Sequence, residues 1–285
     1  MTTSSDLLEA AAAAFSKCAT IDGFLDVWLR NAFLPPREQA ILEHYYASFV
    51  RGFPPRLRRL YRSQTREILG LIAAMDRPKV LEIGAGCGTE SLWFALSGAE
   101  VTGIDVRADR LDVARARRDL LQTALRVPLR AEFRHENLFD LTAGSYDIVW
   151  MEHTFHHLEP RLRVVDHVAR LVRPGGYVVV SEVNAWNLPM QLQYLRRRGL
   201  RTIDTYVDAT GRTHVYGVER FLSPRTLERL FGRAEIRTVS LRYFRLFPNH
   251  PLFSALAPIE RVAERLPLPP VFTSYNWVGC KAASR

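Results

Sequence analysis

From Lys79 onward the chain alternates short apolar runs with longer stretches whose apolar positions recur every three or four residues. KVLEI (79–83), AEVTGIDV (99–106), LRAEFRHEN (129–137), YDIVWME (146–152) and YVVVSEV (177–183) have the length and residue types of strands. Between them TESLWFALSG (89–98), ADRLDVARARRDLLQTAL (108–125) and RLRVVDHVARLV (161–172) predict helices, the first stopped by Gly98 and the last by Arg173-Pro174-Gly175-Gly176. Such alternation predicts an α/β, doubly wound sheet, mostly parallel, with helices on both faces. SPRTLERLFG (223–232) adds a helix with Ser223 as N-cap and Pro224 at the first helical position. Two final strands follow, in EIRTVSLRYFRLF (235–247) and TSYNWVGCKAA (273–283). Residues 1–75 read as helical, broken at Pro35-Pro36 and Pro54-Pro55, and residues 186–220 read as irregular and arginine-rich. The expected organisation is an N-terminal helical cap over 1–75 and a domain over 76–285 carrying an insertion at about 186–220.

Composition narrows the class. Hydrophobic residues make up 47% and charged residues 24% of 285, a globular balance with enough chain for a full core. The net charge of +9 raises nucleic acid as a partner, but only Lys17, Lys79 and Lys281 are lysines. An arginine surplus in an alanine-rich chain fits a codon bias as well, so nucleic acid is not the expected partner. Cys18, Cys87 and Cys280 are scattered without a Cys-x-x-Cys pair, which argues against a disulfide framework or structural zinc and fits a reducing cytoplasm. MTTSSDLLEAAAAAF lacks the basic start of a signal peptide, and no apolar run approaches the ~20 residues that span a bilayer. A cytoplasmic protein is expected.

The chemistry concentrates in VLEIGAGCGTES (80–91). Glycine at 84, 86 and 88 permits positive φ and lets a ligand lie against backbone at a helix N-terminus. A dinucleotide turn wants Gly-x-Gly-x-x-Gly, whose last position is Thr89 here, which counts against a nicotinamide or flavin cofactor. Asp105 closes the second strand at the distance where an acid accepts both hydroxyls of a ribose; it could equally cap the helix that follows. Glu82 would repel a pyrophosphate and suit an ammonium group; it could also be a strand-end residue facing solvent.

With these pieces in order, the chain resembles the class I S-adenosylmethionine-dependent methyltransferases through VLEIGAGCGTES, EVTGIDV, YDIVWMEHTFHHL and LVRPGGYVVVSE. The likeness covers roughly residues 79–183 and is nearest the broad branch of quinone-biosynthesis and other small-molecule enzymes. It implies a seven-stranded sheet whose last strand, here WVGCKAA, runs antiparallel. It implies S-adenosyl-L-methionine as cofactor, with Gly84 and Gly86 against its methionine part, Glu82 on its amino group and Asp105 on its ribose, and with Ala85, Gly88 and Val106 also among the cofactor-binding residues. Glu136 or Asn137 would meet the adenine, a choice the spacing leaves open, and Met151 and Glu152 would approach through backbone.

A sulfonium methyl is already activated, so the protein must align a nucleophile, exclude water and supply a base where the acceptor carries a proton. His156 and His157, in MEHTFHHLEP, are the candidate bases, against a plain packing role. A metal site from His153, His156 and His157 is not expected, because no second cluster completes it. The signatures of base and protein-arginine methylation are absent or faint, which leaves a small-molecule acceptor, acidic or apolar, methylated at oxygen or carbon. The substrate wall is expected from the N-terminal helices and the 186–220 insertion, whose Arg196, Arg197, Arg198, Arg201 and Arg212 could clamp an acid, or be a solvated face. An RNA-modifying methyltransferase and a non-catalytic partner that kept the fold are the rival readings. Oligomeric state is left open.

Overall fold

A computed structural model describes residues 4–142, 145–207, 211, 213–247, 251–266 and 269–283, the side chains of Arg198, Tyr206, Pro251 and Leu252 excepted. It forms two compact units that divide after Asn137. The first contains helices α1 (Ser4–Phe15), α2 (Ile21–Arg30), α3 (Pro36–Tyr45), α4 (Ala47–Val50) and α5 (Pro55–Ala73), then β1 (Lys79–Ile83), α6 (Thr89–Leu96), β2 (Glu100–Asp105), α7 (Ala108–Leu125) and β3 (Ala131–His135). The helical run is interrupted at both proline pairs, as expected, and the second proline of each pair opens the helix that follows. Pro36 and Pro55 sit in the first turns of α3 and α5, where the missing N–H has no intrahelical partner to lose. The helices of the expected cap share one apolar core with α6 and α7, in which Phe15, Phe24, Trp28 and Phe33 pack with Leu92, Leu111 and Leu121.

The second unit contains β4 (Tyr146–Glu152), α8 (Arg161–Leu171), β5 (Val172–Val183), α9 (Leu188–Arg198), β6 (Ile203–Val207), β7 (Thr213–Gly217), α10 (Pro224–Gly232), β8 (Ile236–Phe244), α11 (Ala257–Ala263) and β9 (Ser274–Lys281). Its core sets Phe155, Phe231 and Trp277 in contact, the last two stacked with ring centroids 5.1 Å apart. Ser223 caps α10 as its sequence predicts, its hydroxyl accepting the Thr226 N–H at 3.2 Å.

Seven strands form one sheet in the order β3-β2-β1-β4-β5-β9-β8. β1 pairs with β2, β2 with β3 and β4 with β5 in parallel, while β9 runs antiparallel to both β5 and β8, as the resemblance implies. Val178, Val179 and Val180 are fully buried in succession, the pattern of a strand covered on both faces.

The stretch 186–220 is not irregular. Asn187 accepts the Met190 N–H at 3.1 Å and starts α9, and β6 and β7 form a separate antiparallel hairpin. This excursion begins and ends at one place, because Asn184 and Leu222 are joined by an isolated bridge. Among the described residues no helix is long and apolar enough to cross a membrane.

Candidate functional site

In the first unit β1 delivers the glycine turn. Gly84, Gly86 and Gly88 all take positive φ, at 84°, 51° and 77°. The N–H groups of Gly84 and Ala85 donate to the Ile104 carbonyl at 2.8 and 3.0 Å, that of Gly88 to the Ala85 carbonyl at 2.8 Å, and that of Gly86 to Asp105 Oδ2 at 2.9 Å. These amides are spent inside the protein, so the turn's offer to a ligand is chiefly a surface without side chains. At Gly86 that surface has a close neighbour, since a Cβ there would stand 2.5 Å from the Tyr45 hydroxyl oxygen. The Tyr45 ring lies under the Arg110 guanidinium, 4.9 Å from its centroid. Beside them opens a cleft of about 550 Å³ whose lining includes Ile41, His44, Tyr45, Arg107 and Arg110.

Asp105 does not cap α7, whose N-cap is Arg107. Its carboxylate ties the glycine turn to the end of β2, with Oδ1 accepting the Arg107 N–H at 2.8 Å and Oδ2 accepting that of Gly86. Each oxygen keeps a second lone-pair direction for a ligand. Glu82 is buried at 3% exposure, not turned to solvent, and its Oε2 accepts a hydrogen bond from the Ser91 hydroxyl. Of the two adenine candidates, Glu136 carries the buried acceptor. Its Oε2 makes no hydrogen bond within the described residues. Val106 is 52% exposed, and its carbonyl stands 3.1 Å from His135 Nε2.

Below the turn, a fully buried arginine fixes its far side. Arg117 Nη1 donates to the Cys87 carbonyl at 2.6 Å and to Thr89 Oγ1 at 2.8 Å, with its guanidinium 4.6 Å from the Trp28 ring centroid. Tyr46 donates its hydroxyl to the same Thr89 Oγ1 at 2.7 Å. Burial pushes the Cys87 thiol up to about 12.

In the second unit β4 ends in Met151, fully buried, and Glu152, whose Oε1 lies 3.4 Å from His153 Nε2. A 3-10 turn, Phe155–His157, follows. His156 is buried against Glu182 of β5, its Nδ1 2.8 and 3.0 Å from the two carboxylate oxygens. His157 Nδ1 lies 2.8 Å from the Gly217 carbonyl at the end of β7. That approach needs glycine, because a Cβ at 217 would overlap the His156 carbonyl oxygen. Just past it Glu219 reaches back, Oε2 standing 3.7 Å from His156 Nε2.

His153, His156, His157 and Glu219 line a cavity of about 540 Å³ with Tyr194, Phe221 and Arg245. Phe221 packs on both the His156 and the Tyr194 rings, at 4.8 and 4.6 Å between centroids. His156 is raised from the ordinary histidine range: burial opposes its charge, and the Glu182 carboxylate outweighs burial. Burial holds His157 below that range, and it carries His153 down to about 4.

Sequence reasoning found His156 and His157 but not Glu182, Glu219, Tyr194, Phe221 or Arg245. Glu182 had a signal, an acid just past the apolar run Tyr177–Val180 of its strand. The others become neighbours only through α9 and the hairpin. Of the arginine run, Arg196 and Arg197 are exposed and line one cleft with Gln193, and Arg201 pairs with Asp204 at 2.8 Å, while Arg212 lies outside the described residues, as does the Arg198 side chain.

Residues 81–178 match the family model of a methyltransferase domain. Over 152 residues the chain is 33% identical to a ubiquinone biosynthesis O-methyltransferase of Bordetella avium, a match covering 52% of this chain and 62% of that protein. The chain spans between 42% and 62% of the length of the curated relatives it matches. Among solved structures it is similar to an S-adenosylmethionine-dependent methyltransferase from Archaeoglobus fulgidus (TM-score 0.54, 16% identity, 84% of this chain and 99% of that one). It is also similar to magnesium protoporphyrin IX methyltransferase from Synechocystis with bound SAH (TM-score 0.52, 14% identity, 84% and 94%). At such identities the likeness to solved structures speaks for the fold alone.

Proposed function

We propose that the chain, whose residues 81–178 match the family model of a methyltransferase domain, is a class I S-adenosylmethionine-dependent methyltransferase that methylates a small molecule at oxygen or carbon. The observation that carries this reading is the Asp105 carboxylate bound to the Gly86 amide, which makes the side-chain-free turn and a sugar-gripping acid one rigid piece. The residues present suit the cofactor. Gly84, Ala85, Gly86 and Gly88 leave room for its methionine part, Glu82 suits its ammonium group, and Asp105, with Val106 beside it, suits the ribose. The orphaned, buried Glu136 Oε2 is the acceptor an adenine amino group needs, next to Asn137. Met151 and Glu152 would approach through backbone.

S-Adenosylmethionine supplies a methyl group whose leaving partner is a neutral thioether. The chain's own tasks are then to hold the acceptor, keep water away and ease the loss of its proton. The cavity of the second unit supports those tasks. Phe221 and Tyr194 provide aromatic walls, and the insertion supplies both. His156 and His157 are the activating pair: each has Nδ1 engaged by Glu182 or Gly217, which leaves Nε2 as the nitrogen available to an acceptor.

Calorimetry of the purified chain with S-adenosylhomocysteine tests the reading. One equivalent should bind, and Asp105→Ala should weaken it at least about tenfold, or ~1.4 kcal/mol. His156→Ala and His157→Ala should bind it normally, while one or both slow turnover about 10²-fold or more on an acceptor identified by mass spectrometry of co-purifying small molecules. A folded protein that takes up neither the cofactor nor its demethylated form ends the proposal and favours a non-catalytic partner.

A further inference from the structure

The histidine turn and the hairpin bring together a ligand set that no one stretch of sequence carries. His156, His157 and Glu219 each offer a ligand atom, and the three lie within 4.8 Å of one another. Metal-bound histidine commonly spends its second ring nitrogen on a carboxylate or a backbone carbonyl, which fixes the tautomer and strengthens the ligand. Both kinds of partner are in place, the Glu182 carboxylate on His156 Nδ1 and the Gly217 carbonyl on His157 Nδ1. Glu219 is held in the left-handed backbone region at φ 47°, where non-glycine residues are uncommon and which is found more often at functional sites. His153, on the same cavity, shares this feature at φ 46°. The charge balance is also suitable. Two carboxylates, Glu182 and Glu219, surround the histidines, against Arg161 and Arg245.

We propose that His156 Nε2, His157 Nε2 and a carboxylate oxygen of Glu219 bind a divalent first-row transition-metal ion, with Glu182 and the Gly217 carbonyl as the outer partners. Two imidazoles and one carboxylate form an N/O donor set suited to such ions and leave positions open. The proposal deepens the reading of the pair as the acceptor-activating group. An acceptor hydroxyl at an open position loses its proton to solvent more readily because the cation stabilises the oxyanion. The competing account of the same geometry is a plain ion pair, protonated His156 facing Glu219.

Cobalt(II) is the probe, because its visible absorption reports nitrogen and oxygen ligation without any turnover. The full chain, dialysed against a chelator, should bind one equivalent of Co²⁺ with new visible bands that Zn²⁺ abolishes by displacement. His157→Ala and Glu219→Gln, both at partly exposed positions, should each weaken Co²⁺ binding tenfold or more, and Glu219→Asp should recover part of it. No visible bands in the parent chain, or equal affinity in the parent and Glu219→Gln, would overturn the site in favour of the ion pair. S-Adenosylhomocysteine calorimetry on the same samples separates the two proposals. Heat with that ligand but no Co²⁺ binding sinks the metal site alone; Co²⁺ binding without that heat supports the site and sinks the methyltransferase reading.

Discussion

Gly86→Ala is the substitution whose cost is best defined by the geometry. An L side chain at φ 51° meets the left-handed penalty, about 1–2 kcal/mol. The new methyl carbon also falls 2.5 Å from the Tyr45 hydroxyl oxygen, so the ring must swing aside. Because Tyr45 is 39% exposed it can move, at the expense of its contact with Arg110, about 0.5–1 kcal/mol at such a site. The sum is roughly 1.5–3 kcal/mol, read as a lower urea midpoint. A double-mutant cycle with Tyr45→Ala divides it: the ring contribution, about 0.5–1 kcal/mol, should vanish without the phenol, and the backbone contribution should remain. Affinity for S-adenosylhomocysteine should fall at least about tenfold in Gly86→Ala with or without Tyr45, since the methyl occupies the bare surface itself. If Gly86→Ala costs the same stability in both backgrounds, the phenol is not what fills that space. If the folded variant binds the ligand at parental affinity, the turn is not a ligand surface.

Two further outcomes follow from the burial of charged and titratable groups. Glu182→Gln removes the charge that orients His156, and should lower turnover by about 10–100-fold while leaving S-adenosylhomocysteine affinity unchanged; an unaltered rate would reduce that contact to packing. Cys87 should resist iodoacetamide at pH 8 in the native protein and react once urea unfolds it, because the thiolate is the nucleophile. Its folded value of about 12 lies above the ordinary 9.0, so its contribution to stability is full below pH 9 and is lost as pH rises toward 12. Fast native labelling of Cys87, located by peptide mapping, would contradict the burial of this turn.

The sheet was legible because its strands are short apolar runs bounded by glycine, proline or charge, and because β9 could be placed by resemblance. The excursion was not. Leu188 and Leu192 of α9 are 71% and 56% exposed, so the run's apolar residues mark no core face, and its arginines draw the eye to charge instead. The proline pairs were legible as breaks, but that the second proline of each also opens the next helix is told only by the cap geometry. In the site, single residues were easier to find than their relations. Asp105 stood out by position, yet its hold on the Gly86 amide depends on β1 and β2 being neighbours. Glu219 gave no signal at all. Its nearness to His156 depends on Gly217 letting the hairpin close on the turn, a contact whose two sides lie far apart in the chain.

The bridge between Asn184 and Leu222 has a consequence for how this protein could change its chemistry. A loop whose exit and re-entry already touch can be exchanged for another of different length with little added closure entropy. The segment bearing Tyr194, Glu219 and Phe221 is thus a replaceable cassette set into a fixed frame. Under the proposed function, transplanting the equivalent segment of one of the matched relatives between those two anchors should redirect selectivity for the molecule modified and leave S-adenosylhomocysteine affinity unchanged.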